Sequence, residues 1–105
     1  MDQFDLYANT DKDTNKIYPY FVDIQSGLLE TLNSRVVIPL TPIRKSDETY
    51  PQNLCPIIKI NNKKFALLTH QLTSISVSHL KKKETSLASN RDDIVAAIDF
   101  LVTGI

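Results

Sequence analysis

The sequence is poor in the residues that mark many common sites. It has one cysteine, no tryptophan and two glycines in 105 residues. A lone cysteine, Cys55, forms no internal disulfide and does not by itself make a metal site. Because Gly27 and Gly104 stand alone, Gly-rich phosphate loops and Gly-rich nucleophile turns are excluded.

Net charge and long apolar runs are missing as well. Twelve Lys and Arg residues balance twelve Asp and Glu residues. Proteins that bind nucleic acid directly are usually basic, so this balance disfavours direct binding, and it leaves little repulsion to oppose an oligomer. No run approaches about 18 apolar residues, and the N-terminus lacks the basic and apolar regions of a secretion signal. These absences predict a soluble cytoplasmic protein with no membrane partner.

What is present fits one globular domain spanning residues 1–105. Hydrophobic residues make up 42% of the chain and charged residues 23%, which are ordinary globular values. A chain of this length is sufficient for a single modest core.

Short β-strands dominate the predicted secondary structure. Aromatic and β-branched runs, some with strict alternation, indicate strands near residues 4–6, 18–24, 35–40, 56–60, 64–69 and 73–78. Residues 61–63 predict a tight hairpin, because Asn tolerates the left-handed backbone region. Pro39 and Pro42 lack an N–H and weaken the ladder where they lie. We expect a small, strongly bent antiparallel sheet.

A single helix is predicted at the C-terminus. Its apolar stripe consists of Ile94, Ala97, Ile98, Leu101 and Ile105. Residues 89–92 offer a cap and an acidic first turn, and Gly104 lies where a helix commonly ends in the left-handed conformation. Since the stripe continues to the last residue, no chain follows to cover Val102, Thr103 and Ile105. These side chains either pack on the protein's own sheet or a dimer seam, or form an apolar tip that inserts into a partner.

The catalytic and metal-binding alternatives are weaker. Residues 11–15 begin like a calcium loop, but Lys16 replaces the glycine and Val22 the bidentate glutamate. His70 and His79 have no ligands at metal spacing. His70 remains a candidate general base near Thr69 or Ser74. No cofactor or metal is predicted.

A small ribonuclease is the main enzyme alternative. Such a site needs Arg, His and carboxylate groups converging in one concavity. The candidates are Arg35, Arg44, Arg91, His70 and Glu30, although their spacing in the sequence does not require that they form such a site. The run of lysines at 81–83 is interpreted as a solvated loop end.

Several blocks resemble the CcdB family of bacterial toxins, in order and at matching spacing. They are residues 3–7 (QFDLY), 21–26 (FVDIQS) with Leu28, Leu29 and Glu30 behind them, 35–40 (RVVIPL), 54–60 (LCPIIKI), 68–75 (LTHQLTSI), 91–98 (RDDIVAAI) and the closing Gly104-Ile105. The resemblance implies a mainly β, SH3-like barrel related to the MazF and Kid toxins. Its parts would be a five-stranded antiparallel sheet, a small second sheet and a C-terminal α-helix.

The resemblance also implies an activity based on binding rather than catalysis. A homodimer would bind the A subunit of DNA gyrase and trap the enzyme on cleaved DNA. A CcdA-like antitoxin would neutralise the toxin, and the two would repress their operon, with operator DNA contacted only through the antitoxin complex. Two alternatives stay open, namely an mRNA-cleaving ribonuclease toxin on the same barrel and an inactive remnant that binds antitoxin.

The gyrase-binding residues implied by the family lie at two places. They are Leu28 and Leu29 on a loop, and Asp99, Val102, Thr103, Gly104 and Ile105 on the terminal helix. The family's best-known pattern has Trp where this chain has Thr103, an amide where it has Asp99, and proline where it has Ser76. The polar loops at residues 9–16 and 41–53 are the candidate antitoxin surface.

Overall fold

The computed structural model describes residues 1–27, 31–44 and 50–104. Within these ranges the chain forms seven strands and one α-helix. They are β1 (Asp5–Ala8), β2 (Tyr20–Asp23), β3 (Ser34–Pro42), β4 (Ile57–Ile60), β5 (Lys63–Leu67), β6 (Thr73–Ser76), β7 (Lys83–Ser86) and α1 (Arg91–Thr103). None of the described helices is long and apolar enough to cross a membrane.

The strands form a curled antiparallel sheet in which β3 is the shared element. The order is β4-β5-β3-β2-β1-β7, with β6 also paired to β3. The first part of β3 pairs with β6, from Ser34 to Val37, and its last part pairs with β5, from Leu40 to Pro42. Strand β2 runs along the opposite edge of β3. The mainly β fold with one C-terminal helix is therefore confirmed.

The hairpin between β4 and β5 follows from two asparagines. Asn61 and Asn62 have φ values of 51° and 66°, and Ile60 pairs with Lys63 across them. Two consecutive residues at positive φ are typical of the type I′ turn, which matches the right-handed twist of the strands. The predicted tight hairpin is confirmed.

The N-terminal strand differs from its prediction. Phe4 lies outside β1 with a positive φ of 72°, and both faces of the strand are buried rather than one. The second face is covered because Tyr7 packs with Val37 and Leu80 in a smaller core cluster, while β7 pairs with the outer edge of β1. The Nζ of Lys83 lies 3.3 Å from Oδ1 of the buried Asp5. The interpretation of residues 81–83 as a loop end is thus wrong for Lys83, which begins a strand.

The main core lies between the curled sheet and α1. It contains Leu6, Val22, Ile38, Leu40, Ile58, Leu67, Leu87 and Ile94, among others. The helix contributes Ile94 and Ala97, which are buried, while Ile98 and Leu101 are half-buried. Its stripe is confirmed up to Leu101, and Ile105 lies outside the described residues.

The ends of α1 follow the prediction only in part. Asp92 and Asp93 supply the acidic first turn, but Asn90 makes no side-chain cap hydrogen bond. Instead, a short 3₁₀ turn at Ala88–Asn90 leads straight into the helix. At the other end Gly104 is left-handed, with φ 73°, and its N–H donates to the carbonyl of Phe100 at 2.8 Å. The predicted glycine stop is confirmed.

A fully buried ion pair joins β2 to β3. The Nε of Arg35 donates to Oδ2 of Asp23 at 2.8 Å, and neither side chain is more than 1% exposed. Arg35 Nη2 also donates to the carbonyl of Gln25 at 3.0 Å, and the Gln25 N–H donates to Asp23 Oδ1 at 2.9 Å. Arg35 is therefore a core residue, which corrects its candidacy for a ribonuclease site.

Replacing Asp23 by Asn is expected to lower the free energy of unfolding by about 3–5 kcal/mol, because the charge of Arg35 is left buried and unpaired. Urea denaturation measures the change. As a control, Arg91→Gln removes an exposed pair with Asp92, whose atoms are 3.7 Å apart, and we expect a change below about 0.5 kcal/mol. Equal effects of the two substitutions would contradict a structural role for the buried pair.

Candidate functional site

The C-terminal end of α1 is the most exposed apolar feature of the described chain. Val102 is 75% exposed, more than any other large hydrophobic side chain in the described ranges. Thr103 and Gly104 beside it are also exposed. Side-chain packing of Val102 and Thr103 on the protein's own sheet, one of the two alternatives, is therefore not what the structure shows.

The exposure follows from where the helix is anchored. Ile94 and Ala97 fix its first two turns in the core, whereas burial decreases toward the end of the helix. The left-handed conformation at Gly104 then ends the helix. The last turn consequently lies beyond the anchored part of α1 and presents its side chains to solvent.

Asp99, Val102 and Thr103 lie on one side of this turn. Residues three and four apart are neighbours on a helix surface, and all three are exposed. The hydroxyl of Thr103 donates to the backbone carbonyl of Asp99 at 2.7 Å. Its hydrogen is thus directed back to the helix. We call Asp99, Val102, Thr103 and Gly104 the helix tip.

The structure brings together four of the seven family-implied site residues. The helix tip contains Asp99, Val102, Thr103 and Gly104, while Leu28, Leu29 and Ile105 lie outside the described residues. The role of all seven in binding gyrase stays a prediction.

Cys55 and His70 form a contact that nothing in the sequence indicates, because 15 residues separate them. The Sγ of Cys55 lies 3.6 Å from Nδ1 of His70, and Cys55 is buried. Burial raises the pKa of the Cys55 thiol, although a hydrogen bond from the Thr69 backbone acts in the opposite direction. The thiol is therefore protonated and covered near neutral pH, as in a structural cysteine rather than a nucleophile.

The loop at residues 9–16 is held by its own polar side chains. Asp11 accepts hydrogen bonds from the Asp13 N–H at 3.0 Å and the Thr14 hydroxyl at 3.2 Å. Asn9 Nδ2 donates to the carbonyl of Tyr18 at 2.8 Å. In the described ranges, no three His, Cys, Asp or Glu side chains are grouped so that they could hold a metal ion.

The described chain thus combines a curled antiparallel sheet with a C-terminal helix whose end is exposed and apolar. The family model for CcdB protein matches residues 3–104, nearly the whole chain. The chain belongs to the CcdB family. Its fold is the SH3-like barrel of that family, and it is a toxin of a toxin–antitoxin system. The resemblance seen in the sequence blocks is confirmed.

The buried thiol generates a test of the local packing. In the folded protein Cys55 should react with a disulfide reagent at least about 100-fold more slowly than in urea. The reaction requires the structure around Cys55 to open and the thiol to lose its proton. Absorbance of the released thiolate measures both rates. Similar rates in the folded and unfolded protein would show that Cys55 is accessible.

Proposed function

We propose that this toxin acts as a homodimer on the A subunit of DNA gyrase and traps the enzyme on cleaved DNA. In this proposal it acts by binding, and no bond is made or broken by the toxin itself. Membership in the CcdB family supports the target. Because gyrase works on chromosomal DNA, the proposed site of action is the cytoplasm.

The exposed helix tip is the observation that carries the proposal. Burying a valine side chain in an interface contributes about 1.5–3 kcal/mol, and Val102 is 75% exposed in the chain. A twofold axis near the two helix ends would present two such tips as one compact apolar surface. Interfaces commonly derive most of their affinity from a few such residues at their centre.

The remaining proposed contacts include Gly104 and Asp99 of the helix tip. Apart from its chain neighbours, Gly104 has no described atom within 4 Å of the position that a Cβ would take, so the backbone there is open to close approach by a partner. Leu28, Leu29 and Ile105 complete the proposed surface. Asp99 adds a negative charge, which favours a cationic group on the target facing this side of the helix.

Neutralisation is assigned to a CcdA-like antitoxin. In the proposed complex the antitoxin contacts operator DNA, and the toxin contributes only through it, as a co-repressor. The charge of the chain supports this division, since twelve cationic residues balance twelve acidic ones and DNA affinity depends mainly on net cationic contacts.

Deleting Gly104 and Ile105 is expected to abolish gyrase poisoning while leaving the fold intact, because α1 ends at Thr103, before both positions in the sequence. The assay incubates gyrase, plasmid and toxin, and scores linear DNA with and without ATP. Circular dichroism checks the fold of the truncated protein.

A matched pair of substitutions tests the apolar tip without changing the chain length. Val102→Asp should remove poisoning, whereas Ile17→Asp, at another exposed apolar side chain, should not. If the truncated protein and Val102→Asp both remained fully active, the helix tip would not be the binding surface. Cleavage of RNA by the toxin alone would instead favour the ribonuclease alternative, and normal growth with intact antitoxin binding would favour the inactive remnant.

Thr103→Trp is expected to tighten binding to the gyrase A subunit by about 2–30-fold, which corresponds to a cation–π contribution of about 0.5–2 kcal/mol. Surface plasmon resonance with immobilised gyrase A measures the change. Thr103→Leu is the control, because leucine adds apolar area without a ring. A leucine variant that binds as tightly as the tryptophan variant would contradict a cation–π contact.

A further inference from the structure

A lysine-rimmed pocket lies among β2, β3 and β5. Its volume is about 600 Å³, and its lining includes Lys16, Lys63 and Lys64 together with Tyr20, Pro42 and Phe65. We call it the lysine pocket. No Asp or Glu belongs to its described lining. The described lining therefore carries three cationic side chains and no carboxylate, although the whole chain is neutral.

None of its three ammonium groups is neutralised by a described neighbour. The ion pairs among the described residues involve Arg35, Lys82, Lys83 and Arg91. Lys16, Lys63 and Lys64 are all exposed. Three lysines without a described ion-pair partner line this pocket, an arrangement that an anionic partner would stabilise.

The backbone around the pocket is held in place by hydrogen bonds. The N–H of Ile43 donates to the carbonyl of Lys64 at 3.1 Å, and the N–H of Tyr18 donates to the carbonyl of Thr14 at 2.8 Å, which fixes the turn that carries Lys16. Lys63 directly follows the tight Asn61-Asn62 turn. The lysine stems thus start from preorganised positions, which lowers the entropy lost on binding.

The pocket also has an apolar floor. The rings of Tyr20 and Phe65 meet edge to face, with centroids 5.3 Å apart and planes at 77°. Pro42 pairs with Phe65 across β3 and β5. A ligand that carries carboxylates as well as an apolar side chain would pair with the lysines at the rim and contact the apolar residues of the floor.

We propose that the lysine pocket binds an acidic, partly apolar segment of the antitoxin. This inference rests on the proposed function for the identity of the partner. The carboxylates of the segment meet Lys16, Lys63 and Lys64, and an apolar side chain lies against the floor. Two of the lining residues come from the segments that the sequence indicates as the antitoxin surface, Lys16 from residues 9–16 and Ile43 from residues 41–53.

A peptide fits the pocket better than a nucleic acid does. Binding to single strands relies on aromatic rings whose faces are open for base stacking, but Phe65 is only 5% exposed and Tyr20 is half-buried with its ring packed edge to face against Phe65. Binding to a duplex relies on an extended cationic face, which a chain with zero net charge offers only locally. A short acidic peptide needs only a few cationic side chains and a small apolar surface, and the pocket provides both.

The test measures binding of the full-length toxin to the purified antitoxin encoded beside it, by isothermal titration calorimetry at low and at physiological salt. The variant is Lys16→Glu/Lys63→Glu/Lys64→Glu. The control is Lys59→Glu/Lys81→Glu/Lys82→Glu, which changes net charge equally at exposed lysines outside the pocket. All six side chains are exposed, so circular dichroism should show the native fold in both variants.

The pocket variant is expected to bind antitoxin about 100-fold more weakly, and the control to change affinity by less than about threefold. Wild-type affinity should fall as salt increases, and the slope should be smaller for the pocket variant. Gyrase poisoning by the pocket variant should be unchanged, because the helix tip is intact.

Each other outcome identifies what is wrong. Equal losses in the two variants, or none in either, would overturn the pocket as the antitoxin site while leaving the proposed function standing. Failure of the wild-type toxin to bind antitoxin would overturn the proposed partner as well. If the pocket variant lost affinity for a duplex or single-stranded oligonucleotide but kept its antitoxin affinity, the pocket would be a nucleic-acid site and the proposal would be wrong.

Discussion

The ion pair between Asp23 and Arg35 determines how β2 and β3 meet, and most of the sheet depends on that junction. Both side chains are fully buried, and Arg35 Nη1 has no hydrogen-bond partner in the described chain. The Asp23 carboxylate is therefore the main compensation for a buried positive charge. Gln25 closes the arrangement, since its side-chain oxygen accepts a hydrogen bond from the N–H of Val36 at 3.0 Å.

Because β3 pairs with β2, β5 and β6, a well-defined junction at its start sets the register of both parts of the curled sheet. The sheet in turn provides the surface on which the first two turns of α1 are anchored. The helix is thus fixed at one end and free at the other. This asymmetry, rather than any cavity, is what leaves Val102 in solvent.

Much of this was predictable from sequence because it depends on local patterns. The helical stripe beginning at Ile94, the stop at Gly104 and the hairpin at Asn61-Asn62 all follow from periodicity or from positive φ. Strand β7 was not predictable, because all of its side chains are exposed and it carries no apolar alternation. Its place is set by pairing with β1, a non-local contact. The contact between the buried Cys55 and the exposed His70 likewise arises only when separate segments fold together.

The two proposed binding surfaces, the helix tip and the lysine pocket, also differ in how far the sequence predicts them. The helix tip could be predicted only in part, since the helical pattern places Val102 and Thr103 in the last turn of α1 but leaves open whether they pack on the protein's own sheet or meet a partner. The lysine pocket could not, because Lys16 is 47 residues from Lys63 along the chain and only the sheet brings them together. The two surfaces differ in physical character: burial of Val102 is nearly independent of salt, whereas attraction to three exposed ammonium groups is screened. If both proposals hold, ionic strength acts on the antitoxin complex and on the gyrase complex unequally. The balance between neutralised and active toxin would then respond to salt even with both protein concentrations constant.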